Sequence, residues 1–270
     1  MTSQSKYRFL LINAFSLPPT SPYQMRSFSG PKETQVYNYD DVKPFLADID
    51  WDLHPGALAT HGEWPVMTRE ACASGKYNAI VLLGGGDPGY MEAREIGHQH
   101  RIPVTSSAHA QMHIAGLLGN KFSIVDIAET HNMRMQDLVL QYRMTDRCAS
   151  IRNVNYPLPT ENFPDNVIEV ERKCALAGQR SGMLDAAVQE AVAAIEEDGA
   201  EVIMLGCSAA FWLQPLLQEK LAEIGWDVPV LEGFRSAILV AKMLVDLGVD
   251  ASGLAFPAER PKKWRRKKVF

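Results

Sequence analysis

The sequence predicts an α/β fold built on parallel sheets, and three observations carry that prediction. Short apolar runs recur along the chain without alternating with polar residues, which is typical of strands buried on both faces of a parallel sheet. Segments with apolar residues three and four apart lie between these runs and predict amphipathic helices. The two kinds of segment alternate along the chain. Strands that alternate with helices in this way indicate βαβ units.

The order of the predicted elements follows from these patterns. Strands are predicted at residues 7–12, 78–83, 102–105, 122–127, 149–154, 201–205 and 228–231. Helices are predicted at residues 92–100, 108–118, 132–142, 182–197, 212–223 and 234–247. Residues 17–44 are rich in Pro, Ser, Gly and Tyr without a clear period. They predict an irregular segment, either a functional loop or a surface insertion. Residues 156–164 are interpreted as a second irregular connector.

The charge balance is uneven along the chain. Its 270 residues contain 27 Lys and Arg against 32 Asp and Glu, a net charge of −5. Seven basic residues lie within 260–268, so the remainder carries 20 − 32, or −12. An acidic body argues against a nucleic-acid partner. The basic tail is interpreted as a solvated terminus, with a polyanion or membrane contact as the alternative.

The four cysteines and the N-terminal sequence point to a reducing compartment. The cysteines lie far apart, with no CxxC pair, so we expect free thiols. No apolar stretch is long enough for a membrane span or a secretory signal, so a cytoplasmic location is expected. At this length one large core and two smaller lobes are both open.

Cys207 is the cysteine singled out by its position. It follows the predicted strand at residues 201–205 and precedes a helix expected to begin near Phe211. Backbone amides at a helix N-terminus favour the thiolate, so the sequence predicts a lowered pKa for this thiol and a role as acid, base or nucleophile. Cys72, Cys148 and Cys174 are interpreted as structural: Cys72 in a helix, Cys148 at a strand entry and Cys174 in a connector.

The residues that follow the predicted strands form the candidate binding set. In open parallel sheets, ligands bind beyond the carboxyl ends of the strands. The candidate substrate-binding residues are Asn13, Gly84, Gly85, Gly86, Asp87, Ser106, Ser107, Ser208 and Glu232. The three glycines let a small anion approach the backbone. Asp87 is expected to cap the helix that follows it. One of Ser106 and Ser107 is expected to cap its own helix, and the other to donate to a carboxylate.

Neither a cofactor nor a metal is expected. The GGGDPG segment at residues 84–89 lacks the spacing of a dinucleotide fingerprint, and no P-loop lysine follows it. His109 and His113 share a helix face, but no glutamate completes an HExxH arrangement. The remaining histidines are scattered, so metal binding is the minority interpretation.

Five segments together resemble a known superfamily. They are FLLINAF (9–15), AIVLLGGGDPGYMEARE (79–95), IPVTSSAHAQMHIAGLLGNKFSIV (102–125), EVIMLGCSAA (201–210) and VPVLEGFRSAI (228–238). In order and spacing they resemble the aspartate/glutamate/hydantoin racemase superfamily, and most of all its hydantoin racemase branch. The resemblance covers residues 9 to about 247.

The resemblance implies a fold and a chemistry. It implies two similar lobes with pseudo-two-fold symmetry, each a short parallel sheet flanked by helices, with the active site in the cleft between them. We place lobe 1 at residues 1–118 plus 232–250, lobe 2 at 119–231 and the basic tail at 251–270. Enzymes of this superfamily use no cofactor, and two thiols move a proton on opposite faces of a carbon next to a carboxylate or carbonyl. We further expect a homo-oligomer acting on a small anionic or imide substrate.

The chain departs from this pattern at one thiol. Cys207 matches the second catalytic cysteine, whereas Gly84 stands where the first is expected. Three interpretations stay open: a racemase in which Asp87 or His109 replaces the lost thiol, a single-thiol decarboxylase or lyase that protonates an enediolate, and a non-catalytic accessory protein. Asn13 lies in LINAF, where the family usually has an Asn-Pro-Asn run, and Glu232 matches the family's acidic residue after the last strand more loosely.

Overall fold

Two four-stranded parallel sheets form the framework of the protein. The computed structural model describes residues 5–13, 32–36, 39–54, 63–157, 167–256 and 263. The first sheet has the order β2-β1-β3-β4 and the second the order β6-β5-β7-β8, so the two halves repeat one topology. The strands are β1 (Tyr7–Asn13), β2 (Ile49–His54), β3 (Ala79–Leu83), β4 (Val104–Ser106), β5 (Phe122–Asp126), β6 (Cys148–Asn153), β7 (Val202–Leu205) and β8 (Val230–Leu231). The predicted two-lobe α/β fold is confirmed.

Helices flank both sheets. They are α1 (Lys32–Gln35), α2 (Tyr39–Leu46), α3 (Glu63–Ala73), α4 (Tyr90–Gln99), α5 (Ser107–Leu118), α6 (Asn132–Gln141), α7 (Val167–Leu176), α8 (Gly182–Glu196), α9 (Leu213–Glu223) and α10 (Gly233–Leu247). Short 3₁₀ helices occur at Glu129–His131 and Ser208–Ala210. Every predicted strand and helix is present with ends within two residues of the prediction. Among the described helices, none is long and apolar enough to cross a membrane.

Burial explains which strands the sequence revealed. β3, β5 and β7 are buried at every position and are inner strands of their sheets, which is why they read as continuous apolar runs. β2 was missed. It is an edge strand of sequence IDWDLH in which Ile49 and Trp51 are buried and Asp50 is exposed. The aspartates therefore break the apolar run that would have marked this strand.

Helices α1, α2 and α7 were also missed, and α3 was indicated only by the placement of Cys72 in a helix. α2 overlaps the end of the segment at residues 17–44, which was predicted to be irregular from its composition and its lack of a period. Packing stabilises this helix: Val42 and Leu46 are buried, and α2 contacts α10. Cys174 lies in α7 rather than in a connector, since buried Ile168 and Ala175 leave only a narrow apolar stripe. Residues 14–31 and 158–166 lie outside the described residues, as do most of the basic tail's residues.

One hydrophobic cluster joins the lobes. It contains Phe9 and Val81 of the first sheet together with Ile203 and Leu205 of the second. Smaller clusters cover the other faces of the two sheets. α10 follows the second sheet in sequence but packs on β3, β4 and α5 of the first. The packing of α10 on the first sheet is consistent with the assignment of residues 232–250 to lobe 1. The lobe boundaries stay a prediction.

Candidate active site

The carboxyl ends of the first sheet bring several predicted residues together. Asn13 is paired in register with Leu83, the residue before Gly84. Ser106 is paired with Leu82 on the other side of β3. The amide of Gly84 donates to Ser107 Oγ at 3.3 Å. Asn13, Ser106 and Ser107 are all buried. The ends of β1, β3 and β4 therefore form one continuous polar edge.

The corresponding edge of the second sheet consists of the ends of β5 and β7. The amide of Gly206 donates to the carbonyl of Val125 at 3.0 Å. A Cβ at Gly206 would lie 2.6 Å from Cγ of Asp126, so only glycine fits beside this carboxylate. Cys207 and Ser208 follow directly and are half-buried and buried, respectively.

The two edges touch at their glycines. A Cβ at Gly85 would lie 1.9 Å from the carbonyl oxygen of Gly206 and 3.1 Å from Cα of Cys207. A Cβ at Gly86 would lie 2.7 Å from Cδ of Arg134 in α6. The structure thus places the glycine loop of lobe 1 directly against the backbone of Cys207 in lobe 2.

The environment of Cys207 opposes ionisation of its thiol. Burial is the main cause and the negative charge of Asp126 the second, and together they raise the pKa of Cys207 to about 12. The amide of Ala209 lowers this pKa, as expected at a helix N-terminus, but only partly offsets the loss of water. The predicted lowering of the Cys207 pKa was therefore wrong. The helix that directly follows Cys207 is only the 3₁₀ turn Ser208–Ala210, and α9 begins later, at Leu213.

Asp87 caps a different helix from the one predicted. Its carboxylate accepts from the amides of Ala108 at 2.9 Å and His109 at 2.7 Å, which belong to α5 rather than to α4. Ser106 Oγ donates to it at 2.5 Å and Tyr142 Oη at 2.9 Å. Burial raises the pKa of Asp87 to about 6. The expected serine cap is absent because Asp87 already accepts from these amides; the side chain of Ser106 makes no cap bond to α5.

His109 lies in a different environment from Cys207. Its Nδ1 is 3.1 Å from Tyr90 Oη, and its ring centroid is 4.1 Å from that of His113. Burial lowers the pKa of His109 to about 3, so the ring is neutral. It lines a mainly apolar cavity of about 450 Å³ between α5 and α10, which neither the glycine loop nor Cys207 lines.

Glu232 is the N-cap of α10. Its carboxylate accepts from the amides of Phe234 and Arg235, both at 2.7 Å. The side chain is only 4% exposed, and burial raises its pKa to about 7; Arg235 lowers that pKa and Asp41 raises it. These contacts give Glu232 a structural role, and a substrate contact stays a prediction.

Glu232 makes stability depend on pH. Below about pH 4.5 the carboxyl is protonated in both states, whereas between there and about pH 7 only the folded protein keeps the proton. The free energy of unfolding should therefore fall by up to about 3 kcal/mol as the pH rises through this range. Glu232→Gln should flatten this dependence in urea unfolding at about pH 5 and about pH 8. Glu196→Gln, at an exposed position, is the control, and an unchanged slope in Glu232→Gln would contradict the assignment.

Four residues near the site were not predicted. Tyr142 donates to Asp87 across the lobes, and Gln111 Nε2 donates to the carbonyl of Leu205 at 3.2 Å. Asp126 and His131 lie beside Cys207. Asp126 was missed because the strand predicted at residues 122–127 extends past it, whereas β5 ends at Asp126. The other three lie within or just after helices and gave no local signal.

Two of the other cysteines lie in the elements where they were predicted. Cys72 is buried in α3 and Cys148 begins β6, as predicted. Burial raises the pKa of each to about 11. All four cysteines are free thiols.

Comparisons with known proteins identify the family of this chain. A family model described as Asp/Glu/Hydantoin racemase matches residues 30–241. A hydantoin racemase of Pseudomonas sp. (strain NS671) is 32% identical over 66% of this chain, and the match spans 62% of that relative's length.

Solved structures share the fold at low identity. Allantoin racemase from Klebsiella pneumoniae has a TM-score of 0.64 at 22% identity, covering 96% of this chain and 97% of its own. Arylmalonate decarboxylase has a TM-score of 0.55 at 12% identity, covering 88% and 92%. At these identities the likeness concerns the fold alone.

Proposed function

Because the chain belongs to the Asp/Glu/hydantoin racemase family, we propose that it is a cofactor-independent isomerase that transfers a proton at a carbon next to a carboxylate or carbonyl. One observation carries the proposal: the glycine loop that follows β3 lies against the backbone of Gly206 and Cys207, so the polar ends of the two sheets are adjacent. The proposed substrate is a small anionic or imide molecule.

Cys207 is the proposed acid/base group. A thiol that gives or takes a proton at carbon must lie beside that carbon, and its partner groups must stabilise the enolate-like intermediate. The backbone of residues 84–86 and the hydroxyl of Ser107 are the groups proposed to bind the substrate oxygens. Ser107 Oγ accepts from Gly84, so its own proton is left to donate. The other members of the proposed binding set are Asn13, Asp87, Ser106, Ser208 and Glu232.

The contacts of Asp87 and His109, the two candidates to replace the first thiol, favour a second function. This function is a lyase whose product has a single handedness. Asp87 accepts hydrogen bonds from four groups, and His109 contacts Tyr90 and His113. These contacts engage both side chains with neighbouring protein groups, which favours a mechanism that uses neither of them as a second acid/base group. With Gly84 in place of a first thiol, a single thiol would protonate an enediolate from one face after loss of CO2.

Deuterium incorporation distinguishes the two reactions. Hydantoins, amino acids and substituted malonates would be incubated with the protein in D2O. An isomerase should exchange the hydrogen on the reacting carbon in both enantiomers. A decarboxylase should release CO2 and give a product of a single handedness with one deuterium on the reacting carbon. Absence of turnover and of exchange across all three classes would overturn the proposal in favour of the non-catalytic interpretation.

Restoring the missing thiol tests the assignment of Gly84. Gly84→Cys should increase racemisation by about 10²-fold or more, because a second acid/base group would then face Cys207. Racemisation would be followed by loss of optical rotation. Ala73→Cys adds an exposed thiol at the end of α3 and should give no increase. No gain in folded Gly84→Cys would contradict the proposed equivalence.

The remaining expectations stay predictions. They are a cytoplasmic location and assembly into a homo-oligomer.

A further inference from the structure

Three side chains with metal-binding chemistry meet beside the proposed active site. Asp126 ends β5, His131 ends the 3₁₀ helix Glu129–His131, and Cys207 follows β7. Their donor atoms (one from each side chain) all lie within 4.8 Å of one another. Cys207 lies far along the chain from Asp126 and His131. The parallel pairing of β5 with β7 brings it next to these two residues.

The carboxylate of Asp126 is incompletely satisfied. Its Oδ1 accepts from the amide of Ile127 at 2.6 Å and lies 3.5 Å from His131 Nδ1. Its Oδ2 is buried without a hydrogen-bond partner, and the residue is 0% exposed. An unpartnered oxygen of a buried carboxylate is energetically costly, so it indicates a missing ligand such as an ion or a water.

We propose that Asp126, His131 and Cys207 bind a divalent transition-metal ion of the zinc type. Imidazole, thiolate and carboxylate are the ligands of Zn²⁺, and three protein ligands leave a fourth position for water or a small ligand. A sulfur and a nitrogen donor disfavour Mg²⁺ and Ca²⁺, which take oxygen ligands. The expectation that no metal binds rested on the absence of an HExxH arrangement and on the scattered remaining histidines, and it did not consider Asp126.

Coordination has a defined proton balance. The metal–Sγ bond forms as the thiol proton passes to solvent, and no atom changes oxidation state. His131 gives the ion a route of entry, because its side chain is 26% exposed whereas Asp126 is buried.

This site goes beyond the proposed function and does not depend on it. A metal bound to Sγ would occupy the group that transfers the proton, so the ion would inhibit turnover of any substrate.

Cobalt binding tests the site without any assay of activity. The full chain, freed of metal with a chelator, would be titrated with Co²⁺ alone. A thiolate-to-cobalt charge-transfer band should appear and should disappear when Zn²⁺ is added. Cys207→Ser should abolish the band in folded protein. His131→Gln, at a partly exposed position, should weaken Co²⁺ binding by more than about tenfold, since even outer-shell changes weaken metal sites by about 10–100-fold.

Matched controls separate this site from other thiols and histidines. Cys148→Ser and His113→Gln should bind Co²⁺ as the parent protein does. The proposal is overturned if folded parent protein shows no charge-transfer band, if the band persists in Cys207→Ser, or if His131→Gln binds Co²⁺ as tightly as the parent. Because these readouts are spectroscopic, they do not change if the isomerase proposal fails.

Discussion

Cys207→Ala is expected to lower kcat by about 10²–10⁴-fold on any substrate that the protein turns over, which is the usual contribution of one positioned acid or base. The reason is geometric. Cys207 lies where the carboxyl end of β7 meets the glycine loop of the other lobe. The proposal names no other acid/base group at that position. Both the isomerase and the lyase mechanisms therefore require this thiol.

The measurement is steady-state kinetics on a confirmed substrate, together with far-UV circular dichroism to show that the variant is folded. Cys174→Ala is the matched control, because Cys174 lies in α7 and belongs to no proposed site. It should keep the parent rate. Unchanged turnover in folded Cys207→Ala would eliminate both proposed mechanisms.

Gly85→Ala is expected to reduce stability and activity together. A Cβ there would lie 1.9 Å from the carbonyl oxygen of Gly206, and a backbone atom cannot move aside as a flexible side chain can. Overpacking of this kind costs typically about 1–3 kcal/mol. The displaced segment carries Cys207, so kcat should fall as well.

Urea unfolding and kcat would be compared between Gly85→Ala and Gly116→Ala. Gly116 lies within α5, and outside the backbone of that helix the nearest atom to its added Cβ is in the Arg147 guanidinium at 3.2 Å, which can move. Alanine in a helix interior should leave stability unchanged or raise it by up to about 1 kcal/mol. If Gly85→Ala unfolds at the same urea concentration as the parent, the close approach of the two loops is wrong.

The site residues that could be predicted from the sequence are those that directly follow strands. Gly84, Ser107 and Cys207 were found because each follows a buried strand and the carboxyl ends of parallel strands share an edge. Tyr142 was not found. It donates to Asp87 from the opposite lobe, 55 residues away, and nothing in its local sequence marks that contact. The capping role of Asp87 was predicted for the wrong helix for the same reason.

The pKa values of the titratable groups were the property that the sequence predicted least well. The position of Cys207 before a helix favours a lowered pKa, but burial and Asp126 raise it. Local sequence shows the helix terminus, whereas desolvation depends on what packs around it from other elements.

By itself the sequence determined the α/β class, the inner strands, most helices and the residues at the strand ends. These follow from local periodicity and from the general geometry of parallel sheets. Only the tertiary structure decided that Gly85 lies against Gly206, that Asp87 serves α5, and that Asp126 and His131 stand beside Cys207. The physical reason is that these contacts join segments distant in the chain, so their distances and charges exist only once the two lobes are packed together.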